Sequence, residues 1–271
     1  MVPRDTLSVE AAQGEETVMP AKEQHPPGTA SWVDIGTDVD AAKRFYGSLF
    51  SWQEMEAGPP EETGGYGFFT KAGAMVAGYG PQQNPGPPAW AVYFAVTDAD
   101  ATTKKVEGAG GTVVVAPMDV MTAGRMAVYQ DPGGAFFSVW QPGDHKGAQV
   151  VGESGALSWV ELQTRDVEAA KRFYPAVFGW TVLSHEGPMT YNEFQMGSDS
   201  IGGMMEMGPQ MPAEVPPHWL AYFGVDDVDK SAARAGESGG QVVAGPMDYP
   251  GGRFAVVVDP QGAAFGLLNM G

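Results

Sequence analysis

Asp34 and Glu161 each stand two residues after a tryptophan, in Ser31-Trp32-Val33-Asp34 and Ser158-Trp159-Val160-Glu161. Residues two apart in a strand share a face, so each acid and its indole would lie side by side. If that face lines a cavity, burial raises the carboxyl pKa toward neutrality and equips it for proton transfer. If the face meets solvent instead, the acids are placed to pair with Arg125 and Arg253, which also correspond to one another. His218 opens an apolar run after Pro216-Pro217. It reads either as an acid or base at a pocket mouth or as a partly solvated strand-end histidine. His185 and Glu206 read more simply as exposed side chains near strand ends.

Aromatic residues supply the other chemical signal. Trp32, Trp90 and Tyr93 in the first part of the chain answer Trp159, Trp219 and Tyr222 in the second. Large apolar rings with a polar edge suit planar or hydrophobic ligands, and Met204, Met205, Met207 and Met211 add adaptable surface. Trp52 and Trp180, directly after predicted helices, read as core plugs, with Phe45, Tyr46, Phe173 and Tyr174 packing helix on sheet. Other chemistries fail on inventory. The chain has no cysteine, which excludes thiol nucleophiles, disulfides and iron–sulfur ligation. It lacks a dinucleotide-binding glycine motif, a phosphate loop and a Gly-x-Ser-x-Gly elbow.

These residues recur because the chain repeats itself. Residues 31–52 (SWVDIGTDVDAAKRFYGSLFSW) return as 158–180 (SWVELQTRDVEAAKRFYPAVFGW). AWAVYFAVTDAD (89–100) returns as HWLAYFGVDDVD (218–229), and GRMAVYQDPGGAFFSVW (124–140) as GRFAVVVDPQGAAFGLL (252–268). The blocks keep one order, so the chain holds two copies of one domain. Each copy reads strand, helix, then three strands, twice over. Asp38 is placed to cap a helix whose Ala42, Phe45 and Leu49 recur at helical spacing. Asp131-Pro132-Gly133-Gly134 and Asp259-Pro260-Gln261-Gly262 fit tight turns. The 38 glycines and 22 prolines fit many short elements joined by turns. The expected layout is a flexible tail over 1–28, domains over 29–141 and 155–271, and a polar linker over 142–154. The fold class is α+β, with four βαβββ modules.

The first strand, Asp-Val-Glu-Ala-Ala-Lys-Arg-Phe-Tyr, the following Phe-Gly-Trp and the Asp-Pro-x-Gly turn together resemble the glyoxalase, bleomycin-resistance and extradiol-dioxygenase superfamily, the vicinal oxygen chelate proteins. The resemblance spans residues 29–270 and implies curved mixed sheets wrapped around a cavity. In metal enzymes of that superfamily it implies His or Glu ligands on the first and last strands of the modules. Here the matching positions hold Ser31 or Trp32, Ala91 and Ser138, then Ser158 or Trp159, Leu220 and Gly266. Of the four histidines, His25 falls in the expected tail and His145 in the expected linker. The expectation is therefore no metal and no cofactor.

A net charge of −18 leaves no cationic face for nucleic acid. No run of apolar residues is long enough for a membrane helix, and no signal-peptide core is present, so a cytoplasmic protein is expected. The expected partner is a small hydrophobic or aromatic molecule, and the chain would act as a monomer or homodimer. The preferred reading is a metal-independent binding or sequestering protein. Its alternatives are a metal-free enzyme (lyase, isomerase, cyclase or accessory oxidoreductase on a secondary metabolite), a metal-dependent lyase, and an interaction module whose own aromatics fill the cavities.

Overall fold

A computed structural model describes residues 24–83, 85–185, 190–209 and 211–270. The first half contains β1 (Ala30–Thr37), α1 (Val39–Phe50), β2 (Gln53–Glu56), α2 (Pro60–Thr63), β3 (Gly67–Lys71) and β4 (Ala74–Pro81). It continues with β5 (Ala89–Ala95), α3 (Ala99–Gly108), β6 (Thr112–Val120), β7 (Gly124–Gln130) and β8 (Phe136–Pro142). The second half repeats this order, with no counterpart of α2 among the described residues. Its elements are β9 (Leu157–Thr164), α4 (Val167–Phe178), β10 (Thr181–His185), β11 (Tyr191–Met196) and β12 (Asp199–Glu206). They continue with β13 (His218–Gly224), α5 (Val228–Glu237), β14 (Gln241–Tyr249), β15 (Gly252–Val258) and β16 (Ala264–Met270). The four βαβββ modules expected from the repeat are all present.

Each half is one eight-stranded mixed sheet, ordered β2-β3-β4-β1-β5-β8-β7-β6 in the first and β10-β11-β12-β9-β13-β16-β15-β14 in the second. The two modules of a half join where β1 pairs antiparallel with β5, and β9 with β13. Trp32 therefore lies opposite Tyr93, and Trp159 opposite Tyr222. The four major helices start alike: Asp38, Asp98, Asp166 and Asp227 each accept a backbone N–H three residues on, satisfying a first-turn donor. The helical spacing of Ala42, Phe45, Tyr46 and Leu49 buries one face of α1.

That helix face meets the other half as well as its own sheet. Phe50 and Trp52 pack on Phe223, and Phe94 packs on Phe178, Trp180 and Trp219. A polar relay crosses this apolar core twice. Trp90 Nε1 donates to Tyr46 Oη (3.0 Å), which donates to Asp259 Oδ2 of the other half (3.0 Å). Trp219 Nε1 donates to Tyr174 Oη (2.9 Å), which donates to Asp131 Oδ2 (2.9 Å). Both aspartates belong to the Asp-Pro-x-Gly turns, where their other oxygen caps the Ala135 or Ala263 N–H. The faces covered by the four major helices thus close on each other, and among the described residues none of those four helices covers the opposite face of either sheet.

Two expected boundaries look different in the fold. Residues 24–28 of the expected flexible tail are packed: Gly28 N–H donates to Ala95 O, and Gly28 O accepts from Trp180 Nε1. The rest of that tail lies outside the described residues. The expected linker is also ordered and lies against the first half. Ala148 N–H donates to Ser31 O, Gln149 N–H to Met75 O, and His25 Nε2 contacts Ala148 O at 2.8 Å. Backbone pairing is the physical reason, since these segments satisfy donors and acceptors that β1 and β4 leave open. Among the described residues, no helix is long and apolar enough to cross a membrane.

Tyr174→Phe removes the side-chain donor that Asp131 Oδ2 has among the described residues and strips a buried carboxylate oxygen of that bond. We expect a loss of about 1–3 kcal/mol in urea denaturation, with Tyr46→Phe behaving alike. Wild-type stability in both variants would show that the relay is dispensable.

Candidate functional site

Strand alternation turns Trp32 and Asp34 toward the helix-free face while Val33 and Ile35 enter the core between the halves. On the helix-free face Trp32 Nε1 donates to Tyr66 Oη (3.0 Å), and Tyr66 Oη donates to Asp34 Oδ2 (3.0 Å). Tyr93 supplies a second hydroxyl to the same carboxyl, and Ser138 in turn bonds Tyr93. Gly78 makes this possible: it lies opposite Asp34, and any Cβ there would collide with the Tyr66 hydroxyl.

The second half builds the same constellation from equivalent positions. Trp159 Nε1 donates to Tyr191 Oη (3.0 Å), and Tyr222 Oη donates to Glu161 Oε1 (3.1 Å). Tyr191 also bonds Glu161, and Gln163 Nε2 donates to its Oε1. Gly203 clears space for the Tyr191 hydroxyl, as Gly78 does for Tyr66. Gly266 replaces Ser138, and the Tyr222 ring lies across it.

Burial dominates the electrostatics. It lifts the Asp34 pKa from 3.8 to about 6, against the opposing pull of the Tyr66 and Tyr93 hydroxyls. Burial also raises Glu161, while Tyr191, Tyr222 and Gln163 favour its charged form. All four tyrosines titrate above their ordinary range because they are buried and face these acids. Each face therefore presents a carboxyl whose pKa burial raises, held by O–H donors beside an indole. It can accept a proton or bind a polar group of an apolar molecule.

The geometry sorts the sequence candidates. Asp34, Trp32 and Tyr93 meet on one face, and Glu161, Trp159 and Tyr222 on the other. His218 shares the face of Glu161 at the strand end, opposite Gln163, with Nδ1 2.9 Å from Pro216 O and its pKa lowered by burial. Trp90 and Trp219 are corrections: an odd spacing from Tyr93 and Tyr222 turns them into the interdomain core, where each is 5 % exposed. Arg125 and Arg253 are corrections too. Each faces its own helix and is held by two aspartates: Asp100 and Asp119 for Arg125, and Asp229 and Asp248 for Arg253. Tyr66, Tyr191 and Gln163 were not singled out in the sequence. Nor was His145, whose ring lies 4.5 Å from that of Trp32 and also contacts Phe68 and Trp140. Burial holds His145 near pKa 4. A histidine from the expected linker thus borders the first-half face.

The positions implied for metal ligands do not fit a divalent ion. Trp32 and Trp159 offer only N–H donors, Ser31 bonds Tyr93 O, and Ala91, Leu220 and Gly266 have no ligating atom. Among the described residues, no group of three His, Asp or Glu side chains could hold a metal. A depression of about 390 Å³ lined by Lys43, Trp52, Gln53, Glu54 and Phe69 lies beside α1 and β2, away from both acids, with Lys43 and Glu54 paired across it.

With this geometry in hand, comparison with known proteins is decisive for family. The Glyoxalase/Bleomycin resistance protein/Dioxygenase superfamily model matches residues 35–139 and again 156–267. The chain belongs to this superfamily. Within it, the chain is 44 % identical over 260 residues to "Putative glyoxylase CFP32" of Mycobacterium tuberculosis, covering 93 % of this chain and 98 % of that protein. It is 41 % identical over 262 residues to the anthracycline biosynthesis protein DnrV of Streptomyces peucetius, covering 90 % and 94 %. Two solved structures share the superfamily fold at lower identity. The Mn(II)-bound glyoxalase of Novosphingobium aromaticivorans aligns at 20 % identity and TM-score 0.65, covering 90 % of this chain and 82 % of that one. The 2,3-dioxygenase LapB of Pseudomonas sp. KL28 aligns at 14 % and TM-score 0.63, covering 90 % and 93 %.

The raised pKa of Asp34 fixes a sign. The folded chain keeps a proton on Asp34 that the unfolded chain releases, so this contribution to stability is present below about pH 4 and is lost as pH rises through about 6. The gap between 3.8 and about 6 corresponds to roughly 3 kcal/mol. Asp34→Asn should therefore gain on the wild type by up to that amount between pH 4 and pH 8 in urea denaturation. A difference that does not change with pH would overturn the assignment.

Proposed function

We propose that this superfamily member binds a small aromatic metabolite on its helix-free faces without a metal. The observation that carries the reading is the doubled constellation of a carboxyl (half-buried Asp34, buried Glu161), two tyrosine hydroxyls and an indole, Asp34-Tyr66-Tyr93-Trp32 and Glu161-Tyr191-Tyr222-Trp159. An apolar ring packs on the indole side, while a phenol, enol or carbonyl exchanges hydrogen bonds with the Tyr-held carboxyl. The relative named for anthracycline biosynthesis supports a secondary metabolite as the cargo.

A second reading, a metal-free acid–base enzyme acting on such a metabolite, is favoured by one observation. Asp34, at about pKa 6, is poised to take a proton and return it near neutral pH. Proton abstraction would leave the proton on Asp34 and the negative charge on substrate oxygen, facing the Tyr66 and Tyr93 hydroxyls.

The test screens aromatic metabolites by tryptophan-fluorescence quenching and thermal shift, with metal content measured on the same sample. Binding predicts affinity that survives Asp34→Ala and Glu161→Ala with only a few-fold loss, and no turnover. The enzyme reading predicts that one of these substitutions lowers kcat by 10²-fold or more while binding persists. Affinity or activity that tracks stoichiometric metal and vanishes with chelator would overturn both.

A further inference from the structure

The two faces share a plan, and three of the positions at which they differ change the polar groups along the strands. Where the first half has Gly36, Ala89 and Ser138, the second has Gln163, His218 and Gly266. Gly36 is not a steric necessity, because a Cβ there would meet Gln82 Cα at an ordinary 3.6 Å. The amide at the matching second-half position is thus a chemical difference between the halves.

Gln163 is 4 % exposed. Its Nε2 is fixed toward Glu161, which also takes the Tyr222 and Tyr191 hydroxyls and so calls for donors. That orientation turns Oε1 away from the acid, and Oε1 is buried with no hydrogen-bond partner. Buried carbonyl oxygens are rarely left unpaired, and one that borders a binding face can be completed by a ligand that brings a proton donor. Its register neighbour is His218, and four residues back along the strand, beyond Glu161, stands Trp159, which is partly exposed on the same face.

We propose that Gln163 is the specificity-determining residue of the second-half site, selecting aromatic ligands that carry a phenolic or enolic O–H to donate to Oε1. The ring lies along Trp159, and the hydroxyl sits between the Gln163 carbonyl and the strand end occupied by His218. The first half, with Gly36 in place of the amide, makes no such selection. This inference rests on the small-aromatic reading above and names the polar group its ligand must carry.

The experiment compares 1-naphthol with 1-methoxynaphthalene, which share the ring and differ in the donor. Dissociation constants come from fluorescence quenching of the full chain, with Trp159→Phe identifying the signal from the second half. The wild type should bind 1-naphthol at least fivefold more tightly. In Gln163→Leu and Gln163→Met the ratio should fall within twofold, with 1-methoxynaphthalene affinity retained. The wild-type ratio reads the prediction even where a variant fails to fold. Equal binding of the two probes by the wild type, or a preference that persists in either folded variant, overturns the role of Gln163 and leaves the small-aromatic reading standing. Saturable binding of neither probe overturns both.

Discussion

The arrangement of this chain depends on the crossed relay between its halves. Two tyrosines, one on the first helix of each half, reach across the apolar core to the Asp-Pro-x-Gly turn of the other half. A buried carboxylate needs several donors to offset its lost hydration, and here the turn's own N–H groups and the foreign tyrosine supply them. Because the partner comes from the other repeat, neither turn is fully satisfied within its own half. The relay fixes which faces of the two sheets meet. Trp90 and Trp219 feed the same tyrosines, so both indoles are committed to the interior.

The outer faces use the same sequence of donors for a different end. Trp32 to Tyr66 to Asp34 repeats the order Trp90 to Tyr46 to Asp259, and both end on a carboxyl. Between the halves, the aspartate is additionally capped by backbone N–H groups of its turn, which suits it to a fixed structural role. On the outer face, Asp34 accepts from side-chain hydroxyls alone, and burial outweighs them, which leaves it near pKa 6. Hydroxyls can rotate and donate elsewhere, whereas backbone donors cannot. The outer carboxyl is therefore the one whose bonds a ligand can replace.

Much of this was legible in the sequence, and the parts that were not have specific causes. The duplication, the Asp helix caps, the tight turns and the pairing of each acid with its indole follow from repeat and period. Residue type alone points Trp90 and Trp219 to a ligand, whereas strand parity points them to the core. Trp90 and Tyr93 stand three positions apart, an odd spacing, so the two cannot share a strand face. Tyr66 and Tyr191 lie in the least similar stretch of the repeat, GYGFFTKAGAMVAG against TYNEFQMGSDSIGG. Their signal was the pair Gly78 and Gly203, glycines inside buried strands that mark a close approach by another side chain. His25 and His145 were assigned to tail and linker on polarity alone, yet unpaired strand donors and acceptors draw both segments onto the sheet.

The ordered linker also bears on why duplication matters for function. Had the halves been joined by a loose tether, their helix-free faces would differ only in side chains. Instead the connection runs along the first sheet, placing His145 against Trp32, Phe68 and Trp140 and Ala148 in the same apolar cluster. The first face consequently gains an imidazole from outside the repeat, whereas the second gains Gln163 and His218 from within it. Trp32 is buried and its counterpart Trp159 is only partly so. Duplication supplied two identical frames, a carboxyl held by tyrosines beside an indole. The linker and the substitutions then gave the first frame an imidazole and a buried indole, and the second a buried amide and a strand-end imidazole.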